Sequence, residues 1–309
     1  MSRFIFYQQF KEVKKLKIYV PATSANLGPG FDSLGLAIDL NNEITIRPSD
    51  FLTISIKGEG SNRPKLKTNN QFVNIFYNFY IKLIGRRDNF RFEFYNNIPF
   101  SRGLGSSSAV IVAAIASAYH QAGVTLSRES ILNKALFYET HPDNIAPAVH
   151  GGFTVSLTVR NEKVITQKKE IPSYLKAIMV IPNKPMSTFK SRAKMPKNIS
   201  MQKTVFNLSH SAVLTATFFN EDWKTLQVAS QDKLHQYVRM SAMRELFEVQ
   251  KTALLNGALM STLSGSGSSF FNLAYEDEAE NLKKKLQESF PHFRVEIYNF
   301  NNTGYRIED

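Results

Sequence analysis

Apolar residues recur along the chain with two periods, and these periods assign the elements. Leu52, Ile54 and Ile56 alternate with Thr53 and Ser55, the period of a half-buried strand. Phe90, Phe92 and Phe94 alternate with Arg91, Glu93 and Tyr95 in the same way. Between these runs Phe72, Ile75, Phe76, Phe79 and Leu83 recur at helical spacing. Leu104 to Gln121 is apolar nearly all round, which predicts a buried helix whose start carries Gly103, Gly105 and three serines. Leu16 to Val20 reads as a strand, as does Phe153 to Val159 after the Gly151-Gly152 break.

After Lys168 the pattern changes. Leu175 to Ile181 predicts a strand, and helices follow around Val205 to Phe219, Trp223 to Ser230 and Ala242 to Asn256. Ser269 to Tyr275 reads as a strand, Asp277 to Ser289 as a helix and Phe293 to Phe300 as a last strand. Strands and helices mix without strict alternation. This predicts an α+β chain in two lobes, 1–165 and 166–309, dividing between about 155 and 172.

At 309 residues the chain has room for two cores. Its 24 Phe and 12 Tyr must fill much of them. Cysteine is absent, which excludes disulfides, thiolate catalysis and cysteine metal sites. The apolar run Val110 to Ala116 is too short to cross a bilayer, and Gln8, Gln9 and Glu12 break any signal-type apolar segment at the N-terminus. A cytoplasmic protein with no membrane partner is expected. The net charge of +12 raises the question of a polyanion partner. The lysines are scattered, however, and no aromatic-basic strip accompanies them, so no nucleic-acid partner is expected. The charge instead suits a solvated surface and an anionic nucleotide.

Four segments carry candidate chemistry. Pro99-Phe-Ser-Arg-Gly-Leu-Gly-Ser-Ser-Ser-Ala109 lies between a strand and the apolar helix. Gly103 and Gly105 allow close backbone approach, the serines can cap the helix, and its first N–H groups form an anion site. The Gly-Lys-Ser/Thr ending of a Walker loop is missing, and a plain serine-capped turn is the competing reading. Pro21-Ala-Thr-Ser-Ala-Asn-Leu-Gly-Pro-Gly-Phe-Asp32 is small and polar, with Asn26 and Asp32 able to bind a polar ligand, or else to form ordinary Asx turns. Glu139-Thr-His-Pro-Asp-Asn-Ile-Ala-Pro147 gathers two carboxylates, an imidazole and an amide in a loop. Oxygen ligands beside phosphate point to Mg²⁺, with His141 a hydrogen-bonded contact more readily than a metal ligand. Leu263-Ser-Gly-Ser-Gly-Ser-Ser269 is a second glycine-serine turn able to face an anion, or a flexible hairpin.

Taken together, these residues resemble the GHMP kinases. Pro99 to Ala109 resembles their phosphate loop and Leu263 to Ser269 their third motif. Pro21 to Asp32 and His141 to Pro147 resemble the homoserine branch in particular. The resemblance implies an N-terminal lobe like the second domain of ribosomal protein S5, and a ferredoxin-like C-terminal lobe. It implies ATP and Mg²⁺ as cofactors and L-homoserine as the substrate, phosphorylated in threonine biosynthesis; a homodimer stays open as the assembly. ATP would lie on Pro99, Ser101, Arg102, Gly103, Leu104, Gly105, Ser106, Ser107 and Ser108, closed by Gly265, Ser266 and Gly267. Ser107 and Glu139 would hold the metal, although Phe137 stands where some members place an acid. Homoserine would meet Asn26, Asp32, His141 and Asn144, with its carboxylate between Arg192 and Arg239 and its ammonium on Asp32.

Catalysis would rest on Asn144, Glu139 and Arg192. Asn144 stands where the mevalonate branch has an aspartate base, and an amide accepts no proton at neutral pH. This implies catalysis by positioning and charge neutralisation, with Asp143 beside it not used as a base. Ser108 replaces the usual alanine and Ser268 the common proline, and residues 1–15 form a leader with no assigned role. Two alternatives remain: another GHMP kinase acting on mevalonate, a sugar or shikimate, and a non-catalytic nucleic-acid or regulatory protein on this fold.

Overall fold

The computed structural model describes residues 15–159 and 163–309; residues 1–14, most of the expected leader, lie outside the described residues. The strands are β1 (Leu16–Ala25), β2 (Leu34–Pro48), β3 (Thr53–Gly58), β4 (Phe90–Asn96), β5 (Phe153–Val159), β6 (Lys163–Lys169), β7 (Leu175–Ile181), β8 (Met260–Leu263), β9 (Phe270–Tyr275), β10 (Arg294–Tyr298) and β11 (Arg306–Glu308). The helices are α1 (Lys65–Thr68), α2 (Gln71–Ile84), α3 (Ser106–Gln121), α4 (Arg128–Ala135), α5 (Pro142–His150), α6 (Thr188–Ala193), α7 (Met201–Asn220), α8 (Leu226–Ala229), α9 (Gln236–Met240), α10 (Glu245–Leu255) and α11 (Glu276–Ser289).

The first lobe is a seven-stranded sheet in the order β11-β1-β2-β4-β3, with β5 and β6 branching from β2. Its pairings are antiparallel except for β3 beside β4. The phenylalanines of β4 alternate into the core, where Phe90 and Phe92 meet Phe76 of α2 edge-on at 5.3 Å. α3 lies deep in this lobe with Ile111 to Ile115 fully buried, as its all-round apolar surface dictates. The second lobe is a four-stranded antiparallel sheet, β10-β7-β9-β8, whose core joins Val180 and Phe270 to Leu246 of α10 and Leu282 of α11. The two-lobed α+β architecture is as expected.

The pairings depart from a division at 165 in two places. β6 runs across that point, held in register by β5 from Val159↔Lys163 to Phe153↔Lys169. β11 returns to β1, where Ile18 pairs with Ile307, so the chain ends in the first lobe. Of the segment 139–147, expected as a loop, residues 142–147 form the start of α5, with Pro142 at its first turn. Proline fits there because its missing N–H has no helical partner at that position.

Candidate active site

Between the lobes lies a cleft of about 390 Å³, lined by Pro99 and Ser101 to Ser108 on one wall, and by Asp32, Glu139, His141, Asp143, Asn144, Arg192, Arg239 and Ser266 around it. The fold thus brings together almost every residue singled out from the sequence. Gly267 is the exception among the third-motif residues: it does not line the cleft but packs against Met186 and Leu263.

The phosphate loop is locked to both lobes. The side chain of Ser264 donates to the Gly103 carbonyl at 2.6 Å, and the Ser269 amide donates to the Arg102 carbonyl at 2.9 Å. Gly103 has φ +75°, and a Cβ there would lie 2.1 Å from the Ser264 carbonyl oxygen, so only glycine fits. At Gly105 a Cβ would lie 1.8 Å from Thr23 Oγ1. Gly105 caps α3, and no serine side chain caps that helix. The first N–H groups of α3 therefore keep their capacity for an anion at the positive end of its dipole.

Ser108 Oγ, expected as a cap, donates instead to Glu139 Oε2 at 2.8 Å. Burial pushes the Glu139 carboxyl up, and the Ser108 hydroxyl pulls it back down. Ser107 is exposed at the lip of the loop, so Ser108 rather than Ser107 touches the carboxylate. Among the described residues no group of three or more His, Asp and Glu side chains forms a metal centre. One carboxylate beside hydroxyls and a phosphate-binding helix end fits Mg²⁺, which takes one or two carboxylates and draws its other ligands from phosphate and water.

At the other end of the cleft the charges pair across the lobes. Asp32 has φ +59°, a left-handed conformation that aspartate tolerates. Arg192 of α6 grips it with both terminal nitrogens, at 2.7 and 3.1 Å, and His141 Nδ1 lies 3.3 Å from the same carboxylate. Arg239 of α9 is buried, its Nη1 donating to the Gly265 carbonyl at 2.9 Å and to His235 Nδ1 at 3.4 Å. Its Nε is buried with no acceptor, and the residue lines the cleft. His235 is fully buried, donates from Nε2 to the Gly28 carbonyl at 2.8 Å, and is pushed down to about 4 by burial. It is therefore neutral near pH 7 and presents Nδ1 as an acceptor to Arg239.

Two of the expected site side chains are hydrogen-bonded within the protein. The Arg102 guanidinium donates to the carbonyls of Pro182, Asn183 and Phe100 at 2.8, 2.6 and 3.0 Å, clasping the two lobes. Asn26 spends both ends of its amide on the backbone: Nδ2 donates to the Gly265 carbonyl at 3.1 Å, and Oδ1 accepts the Asp32 amide at 3.0 Å. It shapes the site, while Asn144 accepts from Thr23 Oγ1 at 2.8 Å.

Sequence reasoning missed three contributors: Thr23, His235 and an adjoining cavity of about 290 Å³ that shares Ser101, Ser106 and Ser107 with the cleft. Leu66, Phe72, Phe94, Phe100 and Val110 line that cavity together with Arg63, Asn70, Gln71 and Asn96. It also set Asp143 aside. Yet the structure buries that carboxyl in the cleft wall and pushes it up to about 7, through burial first and then the charges of Asp32 and Glu139.

A helix start without a side-chain cap, a buried carboxylate and an Asp–Arg ion pair line one cleft. The family model of the GHMP kinases N terminal domain matches residues 71–152, and that of the GHMP kinases C terminal matches residues 215–292. The chain belongs to the GHMP kinase family. A homoserine kinase of a Nitratiruptor species is 60% identical over 292 residues, 94% of this chain and 99% of that protein. One from Aliarcobacter butzleri is 58% identical over 95% of this chain and 100% of that protein. The crystal structure of homoserine kinase from Cytophaga hutchinsonii matches with a TM-score of 0.84 at 26% identity, covering 97% of this chain and 99% of that one. Within this GHMP kinase no helix among the described residues is long and apolar enough to cross a membrane.

Proposed function

We propose that the protein transfers the γ-phosphoryl group of ATP to the side-chain hydroxyl of L-homoserine, giving O-phospho-L-homoserine for threonine synthesis in the cytoplasm. The observation that carries this is the pairing of Asp32 with Arg192, backed by Arg239, facing a phosphate loop across one cleft. An acceptor with one ammonium and one carboxylate matches that set of charges; mevalonate, galactose and shikimate lack the ammonium.

The backbone N–H groups of the Pro99–Ser108 loop, from Phe100 onward, hold the triphosphate, and the adjoining cavity holds the base. Mg²⁺, when bound, neutralises charge on the transferred phosphoryl group, and Glu139 with the serine hydroxyls supplies its protein ligands. Gly265 and Ser266 close over the nucleotide. Homoserine enters by exchange. Its ammonium takes over Asp32 and its carboxylate takes over Arg192, joined by the free edge of Arg239 in the planar geometry a guanidinium favours. A ligand with only one of these charges leaves half of the former ion pair without a partner, which is the physical basis of discrimination. His141 and Asn144 orient the chain that carries the hydroxyl. Transfer itself asks for alignment and charge neutralisation more than for a base.

Mg²⁺-dependent ADP release by the purified protein tests this with L-homoserine, mevalonate, galactose, shikimate and no acceptor. Turnover with homoserine alone is the expected result. Turnover with another acceptor would remove the ammonium contact from Asp32, and release with none would favour a binding protein on this fold.

Ser108 gives a further prediction. Its hydroxyl lowers the Glu139 pKa, so Ser108→Ala raises it and the carboxylate protonates at higher pH. The acid limb of the rate–pH profile should move upward, with less than about tenfold loss near pH 8, roughly the net worth of one ordinary hydrogen bond. An unmoved limb would mean that Glu139 does not govern it.

A further inference from the structure

The two clamp arginines bring like charges close together: burial depresses the pKa of Arg239, and the charge of Arg192 adds to that. Something must hold both groups in place when substrate draws Asp32 away. Phe31, next to Asp32 in the chain, sits under both. The Arg192 guanidinium carbon lies 5.1 Å from the ring centroid, and that of Arg239 also lies 5.1 Å from it. His235, which accepts from Arg239, tilts against the same ring at 5.2 Å. Phe31 does not line the cleft; it lines a separate groove of about 310 Å³, between the 29–33 turn and α7.

We propose that Phe31 is the positioning residue of the arginine clamp, its ring carrying both guanidinium groups and so setting the preference for an acceptor with a carboxylate. The negative face of an aromatic ring attracts a guanidinium within about 6 Å, more strongly where water is excluded. This attraction matters most in the complex. In the free protein Arg192 has Asp32 as its counter-charge. Once the substrate ammonium occupies Asp32, the ring and the substrate carboxylate are what remain to hold Arg192. A leucine at position 31 fills comparable space and offers no such face. Phe31 acts through the arginines and touches no reacting atom.

The proposal rests on the homoserine reading of the cleft, and one set of kinetics separates the two. The full chain carrying Phe31→Leu, Phe31→Tyr or pentafluorophenylalanine at position 31 is compared with wild type. The acceptors are L-homoserine and propanolamine, which keeps the hydroxyl and amine and lacks the carboxylate. Phe31→Leu should raise the homoserine KM by about tenfold, with kcat and the ATP KM nearly unchanged. Phe31→Tyr should stay close to wild type. The fluorinated ring, similar in shape but with its face made electropositive, should behave like leucine. Propanolamine turnover should change much less among them, because it has no carboxylate for the clamp to position. An unchanged homoserine KM in both the leucine and fluorinated proteins, or an equal loss for both acceptors, would overturn the proposal and leave Phe31 as packing. Where Phe31→Leu fails to fold, the fluorinated and tyrosine forms decide. Wild-type protein that turns over no homoserine would overturn the substrate reading and this proposal with it.

Discussion

Glu139→Gln should lower kcat by about 100-fold or more, the cost of removing one preorganised charge at a developing transition state, while the homoserine KM stays near wild type. Glutamine keeps the shape of glutamate and can still accept the Ser108 hydroxyl, so the fold is preserved. What it loses is the negative charge. No cluster of three or more acidic or imidazole groups among the described residues stands ready to replace it as a cation site. Its homoserine KM should hold because Glu139 sits at the Ser108 end of the cleft, whereas the clamp is built around Asp32. Initial rates measured against Mg²⁺ concentration check this: the variant should need more Mg²⁺ and should not recover wild-type kcat at saturation. A loss below about tenfold would place the metal's protein ligand elsewhere.

Asp143→Asn should do the opposite, stabilising the protein at alkaline pH and costing little activity. The Asp143 carboxyl has its pKa raised from 3.8 to about 7. A raised folded-state pKa means stability that is fully present below the unfolded value, near 3.8, and lost as pH rises through about 7. Above pH 8 the native protein therefore carries a buried charge that asparagine avoids. The upper limit of that penalty is roughly 4 kcal/mol, at 1.36 kcal/mol per pKa unit. Thermal unfolding should show a Tm several degrees above wild type at pH 8.5, with the gain shrinking towards pH 5. On the catalytic side, a pKa near 7 is what a general base has, and losing one costs about 10²–10⁴-fold in rate. Transfer by positioning predicts a kcat within about tenfold of wild type; a loss of the larger size, with the alkaline rise of the pH profile abolished, would make Asp143 the base.

Local signals carried the sequence reading where the chemistry is local. The phosphate loop could be read because Gly103, Gly105 and the serines stand together at the mouth of an apolar helix, and the β4 alternation could be read because its period is strict. β2 escaped. Its first half is buried on both faces and shows no alternation, and Asn41 and Asn42 interrupt its middle. α5 escaped because its polar start, Pro142-Asp-Asn144, reads as a turn unless proline is taken as a first-turn residue. The clamp was beyond periodicity altogether. Asp32 and Arg192 are 160 positions apart, and only resemblance to a family joined them. Arg102 and Asn26 show the converse limit: a polar side chain in a motif can serve the motif's shape, with its hydrogen bonds turned to backbone carbonyls. No local pattern distinguishes that use from contact with a ligand.

The return of the final strand to β1 has a consequence for motion. With Ile18 paired to Ile307, the second lobe is inserted into the first and joined to it by two strands of chain. The outgoing link follows β6, and the incoming one is fastened by the Asn299 carbonyl to the Asp39 amide at 2.9 Å and by the Asn301 amide to the Ala37 carbonyl at 3.1 Å. A body held at two points cannot swivel freely about one linker; it can rock about the line through both. Any opening of the cleft is thereby restricted to rocking, and free rotation about a single linker is excluded.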